Sequence, residues 1–325
     1  MNILVIGGAG YIGSHTVHFL QKRNYNPIIY DNLSKGHAEV AQILKVPLYE
    51  GDLCDKAKLR MVFEKEKIDA VMHFAACIEV GESMENPSKY YHNNVAKVLD
   101  LLDAMIESKI KYFVFSSTAA TFGEPQKEKV DENHPQNPIN PYGRSKLMVE
   151  QILKDYDAAY GLKSVVLRYF NAAGCDDNGI LGNSYRPKSH LIPRVLMAVT
   201  RQIPEFVIFG DDYPTPSGTC IRDFVHVYDL ADAHLLALEH MMKTGESADY
   251  NLGNGTGCSV KDIIETVEKI TGESPSVRVA GRRSGDPSVL ISDPTKAMHV
   301  LGWKPKYSLM EIVDSTWMWE KNPKY

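Results

Sequence analysis

The chain has 325 residues, of which 44% are hydrophobic and 24% are charged, and its formal net charge at pH 7 is -5. This length suits one large or two modest domains, and the composition is that of a soluble globular protein. No excess of basic residues is present to neutralise a phosphate backbone, which excludes nucleic acid as an expected partner. No apolar run is long enough to span a bilayer or to form a secretion signal, so we expect a cytoplasmic protein without a membrane contact.

Segments rich in β-branched residues alternate with segments of helical periodicity over the first half of the chain. The predicted strands read NILVIG, NPIIYD, VPLYEGD, AVMHFAA, YFVFSS and SVVLRYF. This alternation is typical of a parallel sheet covered by helices on both faces. After about Phe170 the pattern loosens: the loop GCDDNGILGNSYRPKS precedes helical patterns near 190–201, 228–243, 259–271 and 308–320. We therefore predict a second, smaller lobe packed against the first.

The first predicted strand ends in GGAGYIGSH, where Gly7, Gly10 and Gly13 follow one another at three-residue intervals. Glycine allows a tight turn and a close approach to a pyrophosphate, and free N–H groups at the helix start face the anion. The spacing alone also fits a plain strand-to-helix turn. Asp31 favours the first interpretation, since it ends the second strand, where a carboxylate binds adenosine ribose hydroxyls and repels a 2′-phosphate. The pattern predicts NAD rather than NADP.

Two further strand ends point to the same dinucleotide. The segment YEGDL leaves Asp52 and Leu53 where an adenine would be met, and HFAA leaves small residues along the path of the dinucleotide. The strand FVFSSTAATFG ends in the hydroxyls of Ser116, Ser117 and Thr118, at the carboxyl edge where ligands bind in open α/β folds. Such hydroxyls are also common as caps and turns.

Tyr142 and Lys146 are four positions apart at the start of a predicted helix, so both project from one face. A phenol has a reference pKa of ~10, but a nearby ammonium and a bound nicotinamide cation both favour the phenolate. The pair therefore predicts a proton acceptor, with Lys146 also placed to hold a cofactor ribose. Without the glycine motif, an exposed tyrosine beside an ordinary helical lysine would be the simpler interpretation.

The scattered cysteines predict no disulfide or zinc site. They stand at positions 54, 77, 175, 220 and 258 and include no C-x-x-C pair. His15 and His18 share a helix face, but no third ligand lies nearby in sequence. We predict reduced thiols and no metal.

The motifs GGAGYIG, SST and YGRSK make the sequence similar to the extended short-chain dehydrogenase/reductase family, whose signatures are a glycine-rich turn and Tyr-x-x-x-Lys. Further segments, among them NPYGRSKLMVEQIL, LRYFNAAG and YNLGNGTGCSV, resemble the branch of this family that inverts C4 of UDP-hexoses. The resemblance implies an α/β protein with a Rossmann-type doubly wound parallel sheet over residues 1–171 and a substrate lobe over residues 172–325. Part of 220–243 is expected to return to the first domain.

With the positions above, the resemblance implies a set of cofactor contacts: Gly7, Gly10, Tyr11, Ile12, Gly13, Asp31, Asn32, Asp52, Leu53, Phe74, Ala75, Ala76, Asn93, Thr118, Tyr142, Lys146 and Phe170. The implied substrate contacts are Thr118, Tyr142, Asn171, His190, Leu191, Val207, Phe209, Arg222, Arg283 and Asp286. Among these, Asn171 and the two arginines would hold phosphates, Val207, Phe209 and Asp286 would surround uridine, and His190 and Leu191 would contact sugar and nucleotide. Tyr142, Lys146 and Thr118 would be catalytic.

The implied reaction is the interconversion of UDP-glucose and UDP-galactose through a 4-keto sugar, by a hydride that NAD takes up and returns. The family also implies a homodimer formed through helices near residues 83–107 and 142–160. Ile78 stands where many relatives have a lysine that contacts the cofactor, and Leu290 stands where the family gates N-acetylated sugars. UDP-N-acetylhexosamines therefore stay open as substrates.

Two other functions are weighed against epimerisation. A nucleotide-sugar 4,6-dehydratase shares the tyrosine and lysine but needs an Asp-Glu pair after the threonine, where this chain has Ala119 and Ala120. A redox sensor or scaffold that merely binds NAD would not need Tyr142, Lys146 and Thr118 together.

Overall fold

The computed structural model describes residues 1–185, 188–283 and 287–325. The strands are β1 (Asn2–Ile6), β2 (Asn26–Asp31), β3 (Leu48–Glu50), β4 (Ala70–His73), β5 (Tyr112–Thr118), β6 (Lys129–Val130), β7 (Lys163–Tyr169), β8 (Asn171–Ala173), β9 (Phe206–Phe209), β10 (Ile221–His226), β11 (Ala248–Leu252), β12 (Gly257–Ser259), β13 (Val277–Ala280) and β14 (Val289–Ser292).

The α-helices are α1 (Tyr11–Lys22), α2 (Glu39–Leu44), α3 (Lys56–Glu66), α4 (Val80–Glu85), α5 (Pro87–Tyr91), α6 (Lys97–Glu107), α7 (Pro141–Tyr160), α8 (Leu191–Val199), α9 (Val227–Thr244), α10 (Val260–Thr271), α11 (Thr295–Leu301) and α12 (Leu309–Lys321). A π-helical turn, His92–Ala96, joins α5 to α6, and a 3₁₀ turn, Ala119–Thr121, follows β5. Within the described residues no helix is both long and apolar enough to cross a membrane.

Seven parallel strands form the main sheet, in the order β11-β7-β5-β4-β1-β2-β3. All six strands predicted from the sequence are in it, and the predicted α/β class with a Rossmann-type doubly wound sheet is confirmed. The strand order reverses at β1, which pairs with β2 on one side and with β4 on the other. Ligands bind outside the carboxyl ends of the strands at such a reversal, so the end of β1 marks the site.

Apolar layers cover the sheet on both faces. One core includes Val17 and Leu20 of α1 together with Leu230 and Leu238 of α9. The opposite core is formed by side chains of α3, α6 and α7 against the other face of the same strands. Because both faces are covered, the strands carry continuous apolar runs, and β4 is buried along its whole length.

The second lobe has a mixed sheet of its own. Its strands run in the order β12-β10-β14-β6, β8 lies alongside β10, and β9 pairs with β13. Helices α8, α10 and α12 supply a separate apolar core. The chain then crosses back, since α9 packs on the first sheet and β11 is the edge strand beside β7. Residues 227–252 thus belong structurally with the first sheet, while the division at residue 171 stays a prediction.

A buried ion network ties α7 to the edge of the main sheet. The Arg168 guanidinium donates three hydrogen bonds to Glu150, the shortest of them 2.8 Å, and a further 2.8 Å bond to Asp249. Ser117 donates a 2.5 Å hydrogen bond to the same Glu150 carboxylate. Burying these charges is tolerated because each one is paired and hydrogen-bonded.

Glu150→Ala should destabilise the protein strongly, because it leaves the Arg168 charge buried beside Ser117 without its main partner. We expect the free energy of unfolding to fall by about 3 to 5 kcal/mol, measured by urea titration. Glu107→Ala is the matched control, since its pair with Arg60 is about half exposed and should cost at most about 1 kcal/mol. Equal losses in the two variants would contradict this assignment.

Candidate active site

The turn between β1 and α1 packs closely against the backbone of the segment after β4. Gly7 has a φ of +76°, and a Cβ at this position would lie 2.7 Å from the Ala75 backbone nitrogen. A Cβ at Gly13 would lie 2.2 Å from the Gly7 carbonyl oxygen. The turn therefore requires glycine at both positions, and it brings the predicted contacts after β1 and after β4 together. This turn, the glycine cradle, fits a dinucleotide pyrophosphate, which needs backbone N–H groups and no Cβ.

Asp31 ends β2 and lies over the glycine turn. Its carboxylate accepts hydrogen bonds from the backbone nitrogens of Ala9, at 3.0 Å, and Leu33, at 2.8 Å. Burial raises the pKa of Asp31, while these two hydrogen bonds favour its ionised form. A carboxylate with one bond on each oxygen still has acceptor sites for ribose hydroxyls. The structure therefore brings the predicted ribose residue to the predicted turn.

Asp52 and Asn32 form the next part of this edge. The Asn32 amide donates a 3.1 Å bond to Asp52, and the Lys97 ammonium lies 2.6 Å from the same carboxylate. Burial opposes ionisation, but Lys97 and Asn32 together lower the pKa of Asp52 to about 2. No sequence motif points to Lys97, which lies far from Asp52 along the chain.

Asn94 holds the segment after β4. The Asn94 amide accepts from the Cys77 nitrogen and donates to the Cys77 oxygen, both at 2.9 Å, and also donates to the Ser145 hydroxyl at 3.1 Å. Asn93 donates a 3.0 Å bond to the Asn94 side chain. Cys77 directly follows Phe74, Ala75 and Ala76. Through Cys77, the asparagine pair links this segment to the helix that carries Tyr142.

Tyr142 and Lys146 lie on the first turns of α7. The helix begins here because the Asn140 side chain accepts a 2.8 Å bond from the Gly143 nitrogen, with proline at the first helical position. Lys146 is buried, donates a 2.8 Å bond to the Ser116 carbonyl and lies over the Phe115 ring. Burial lowers the pKa of Lys146 to about 7.

The protein groups around the Tyr142 phenol oppose its ionisation. Burial raises the pKa of Tyr142 to about 12, and a hydrogen bond with the Thr118 hydroxyl opposes this rise. Among the protein groups, desolvation has the largest effect on this pKa. The favourable charge would have to come from the ligand, and a nicotinamide cation is of the required sign.

The three hydroxyls at the end of β5 have different surroundings. Ser116 bonds to the buried His234 ring at 3.0 Å, and Ser117 donates to Glu150. Thr118 accepts a 3.2 Å bond from the Ala120 nitrogen and is the hydroxyl that meets Tyr142. Ser116 and Ser117 therefore hold α9 and α7 to the sheet, and Thr118 is left as the candidate for chemistry.

Two predicted contacts lie where the chain passes from the first lobe to the second. Phe170 is buried in a small apolar cluster with Phe122, against which Leu290 packs. Asn171 begins β8 and is paired with Phe224 of β10. The carboxyl end of β7 thus delivers both residues to the region between the lobes.

The predicted sugar and nucleotide contacts of the second lobe fall on α8 and β9. His190 occupies the N-cap position of α8, which begins at Leu191, and its ring lies 3.3 Å from the Asn183 amide nitrogen. Val207 and Phe209 share the outer face of β9, whose inner face is buried. An apolar strand face that is half exposed can receive a flat uracil ring.

The two predicted phosphate-binding arginines lie on different elements of the second lobe. The Arg283 guanidinium lies 3.8 Å from the centroid of the Phe209 ring, a cation–π contact. Arg222 lies on β10 opposite Leu290 of β14 and donates a 2.7 Å bond to the Ile221 carbonyl. Asp286, the remaining predicted contact, lies outside the described residues.

Three features meet in this site: a glycine turn where the order of the parallel strands reverses, a carboxylate for the ribose, and a Tyr-Lys pair on α7. Together they define a short-chain dehydrogenase/reductase. The model of the NAD dependent epimerase/dehydratase family matches residues 3–253, and the chain belongs to this family.

Several relatives match along almost the whole chain. The UDP-glucose 4-epimerase of Halalkalibacterium halodurans is 51% identical over 322 residues, which cover 99% of this chain and 96% of the relative. The crystal structure of UDP-glucose 4-epimerase from Brucella ovis in complex with NAD is 47% identical, with a TM-score of 0.95 and 97% of each chain covered. That of the Bifidobacterium longum enzyme with NAD+ and UDP is 38% identical, with a TM-score of 0.93 and 99% of each chain covered.

Gly13→Ala should weaken NAD binding at least about tenfold, because the added Cβ cannot coexist with the Gly7 carbonyl in the present turn. The NAD released from denatured protein, relative to protein concentration, measures the effect. Gly81→Ala is the control, since nothing lies within 4 Å of a Cβ at that helical position. Full NAD content in Gly13→Ala would refute the cradle.

Asp31→Asn should change the choice between dinucleotides. The variant keeps an oxygen acceptor but loses the charge that repels a 2′-phosphate, so we expect the ratio of NADP to NAD affinity to rise at least about tenfold. Fluorescence titration of protein freed from cofactor gives both affinities. Asp314→Asn, at an exposed position of α12, should leave the ratio unchanged.

Proposed function

We propose that the protein interconverts UDP-glucose and UDP-galactose by inverting C4 of the sugar, with NAD as the cofactor. The observation that carries the proposal is the meeting of Tyr142 with Thr118, beside a buried Lys146, at the carboxyl edge of the sheet next to the glycine cradle. The full-length similarity to UDP-glucose 4-epimerases supports the same substrate.

NAD, when bound, would supply the acceptor and the donor for the hydride of C4. Tyr142 accepts the proton of the C4 hydroxyl and later gives it back, and Thr118 aligns that hydroxyl by hydrogen bonding. Lys146 is held by the Ser116 carbonyl at 2.8 Å, where its ammonium can also bind a ribose hydroxyl. The resulting 4-keto sugar is re-reduced in the same site.

The nucleotide must be anchored apart from the reacting ring. Arg283 and Arg222 are suited to the diphosphate, because a guanidinium fork binds phosphate through two parallel N–H groups. Val207 and Phe209 offer an apolar surface for uracil. Binding energy spent on UDP leaves the hexose free to present either face of C4 to the cofactor.

Elimination of water is a poorer fit for this site. The residues after Thr118 are Ala119, which is buried, and Ala120, which has no ionisable group. A dehydratase needs an additional acid and base at the sugar. With alanine at both positions, Tyr142 is the proton carrier near the end of β5. A simple oxidation and reduction at C4 requires one such proton carrier.

We also propose a homodimer formed by the segments 83–107 and 142–160, and a cytoplasmic location. Large apolar side chains are exposed on these helices: Met84 is 61% exposed, Met148 40% and Tyr160 62%. Such a surface is suited to a partner helix pair. All five cysteines are free, as thiols are in a reducing compartment.

The proposed reaction is tested by incubating purified protein with UDP-galactose deuterated at C4, without added cofactor. We expect UDP-glucose that retains the label, because the hydride leaves and returns within one site. Loss of the label to solvent would exclude the hydride mechanism, and absence of UDP-glucose would exclude the function.

Tyr142→Phe should keep bound NAD but lower turnover of UDP-galactose at least about 100-fold, because the ring still packs but accepts no proton. Tyr112→Phe, at the amino end of β5 and away from the site, is the control and should turn over normally. Product chromatography measures the rates. Wild-type turnover in Tyr142→Phe would remove the tyrosine from the proposed proton path.

A further inference from the structure

Glu79 directly precedes α4, in the segment that follows β4, and no motif assigned it a role. Its backbone carbonyl accepts a 2.6 Å hydrogen bond from the Tyr90 hydroxyl. The Tyr90 ring meets the Tyr142 ring edge to face, with centroids 6.4 Å apart. One aromatic side chain therefore fixes Glu79 beside the tyrosine to which we assign the proton transfer.

The Glu79 side chain reaches the second lobe. Its Oε1 accepts a 2.9 Å hydrogen bond from the Ser189 hydroxyl, and Tyr185 is hydrogen-bonded to the same carboxylate. Ser189 directly precedes His190, which occupies the N-cap position of α8. The carboxylate thus connects the loop that carries His190, one proposed sugar contact, to the segment packed beside Tyr142, the second proposed sugar contact.

Electrostatics agree with this geometry. Burial raises the pKa of Tyr142, Thr118 opposes the rise, and the Glu79 charge adds to it. Burial lowers the pKa of His190, and the Glu79 charge opposes that change. One negative charge therefore acts on both groups that we place against the hexose.

The other charged groups of this cluster come from neighbouring elements. Lys35, from the segment between β2 and α2, lies with its Nζ 4.8 Å from the centroid of the Tyr185 ring. Glu82 of α4 forms an ion pair with Lys89 of α5, which offsets its charge. Among the described residues of this cluster, Glu79 is a carboxylate whose hydrogen bonds join the two lobes.

We propose that Glu79 is a specificity-determining residue that excludes nucleotide hexuronates, sugars with a carboxylate in place of the C6 hydroxymethyl group. The inference rests on the proposed function, because it requires the hexose to lie against Tyr142 and His190. A fixed carboxylate repels a second one in the same site, whereas a neutral hydroxymethyl group meets no such repulsion. At the effective dielectric of a protein site, like charges a few ångströms apart weaken anion binding by about tenfold or more.

The test measures kcat/KM for UDP-galactose and for UDP-galacturonic acid in wild-type protein and in Glu79→Gln. The glutamine keeps an oxygen that accepts the Ser189 hydrogen bond but carries no charge. We expect the ratio of hexuronate to hexose kcat/KM to rise at least about tenfold. Two controls should keep the wild-type ratio: Glu79→Asp, which retains the charge, and Glu85→Gln, which removes an exposed charge from α4.

An unchanged ratio in Glu79→Gln, with normal turnover of UDP-galactose, would overturn the role of Glu79. If wild-type protein turned over neither sugar, the proposed function would fail separately, and calorimetric Kd values for the two UDP-sugars would then decide. Charge exclusion is supported if Glu79→Gln, and no other variant, binds UDP-galacturonic acid more tightly relative to UDP-galactose than wild-type protein does. The same relative affinity in all variants overturns it.

Discussion

A buried ammonium group fixes the helix that carries Tyr142 to the main sheet. Lys146 is 3% exposed and donates to the Ser116 carbonyl at 2.8 Å. Taking this charge out of water is unfavourable, which is why burial lowers its pKa to about 7, and the Phe115 ring below it offsets part of the cost. Because the contact is with β5, α7 cannot slide along the strand without leaving the ammonium unpaired. Tyr142 and Thr118 are brought together by this constraint.

The polar groups at the end of β5 make the same edge rigid in other directions. Ser116 bonds to His234 of α9 on one face, and Ser117 bonds to Glu150 of α7 on the other. Burial lowers the pKa of His234 to about 4, so the ring is neutral and can exchange one hydrogen bond with each of two partners. The hydroxyls of Ser116 and Ser117 thus stabilise the fold, and the Thr118 hydroxyl is available for the proposed reaction. A site on rigid elements holds its geometry better than one on loops.

Local patterns predicted the parts of this protein that local physics determines. The strands, the glycine turn and Asp31 follow from periodicity and backbone sterics, which act over a few residues. Asn94 was missed because its role depends on a loop and a helix that only the fold brings together, and the adjacent Asn93 has the same side chain. The rise in the pKa of Tyr142 on burial could not be predicted from the sequence, because desolvation depends on everything packed around the ring. The return of β11 to the first sheet had no signal either, since an edge strand resembles any other short strand.

The division of labour between the lobes explains how one site can serve two faces of a sugar. Phe209 and Arg283, the proposed nucleotide anchors, belong to the second lobe, whereas Tyr142 and Thr118 belong to the first. The lobes have separate apolar cores, and polar contacts such as the 2.5 Å bond from Tyr11 to the Gly174 carbonyl join them. Each such bond contributes only about 0.5 to 1.5 kcal/mol to the joining of the lobes, and the proposed hold on UDP lies in the second lobe. A hexose anchored through its nucleotide can rotate without breaking that hold, and the first lobe presents the same rigid proton carrier to either face of C4.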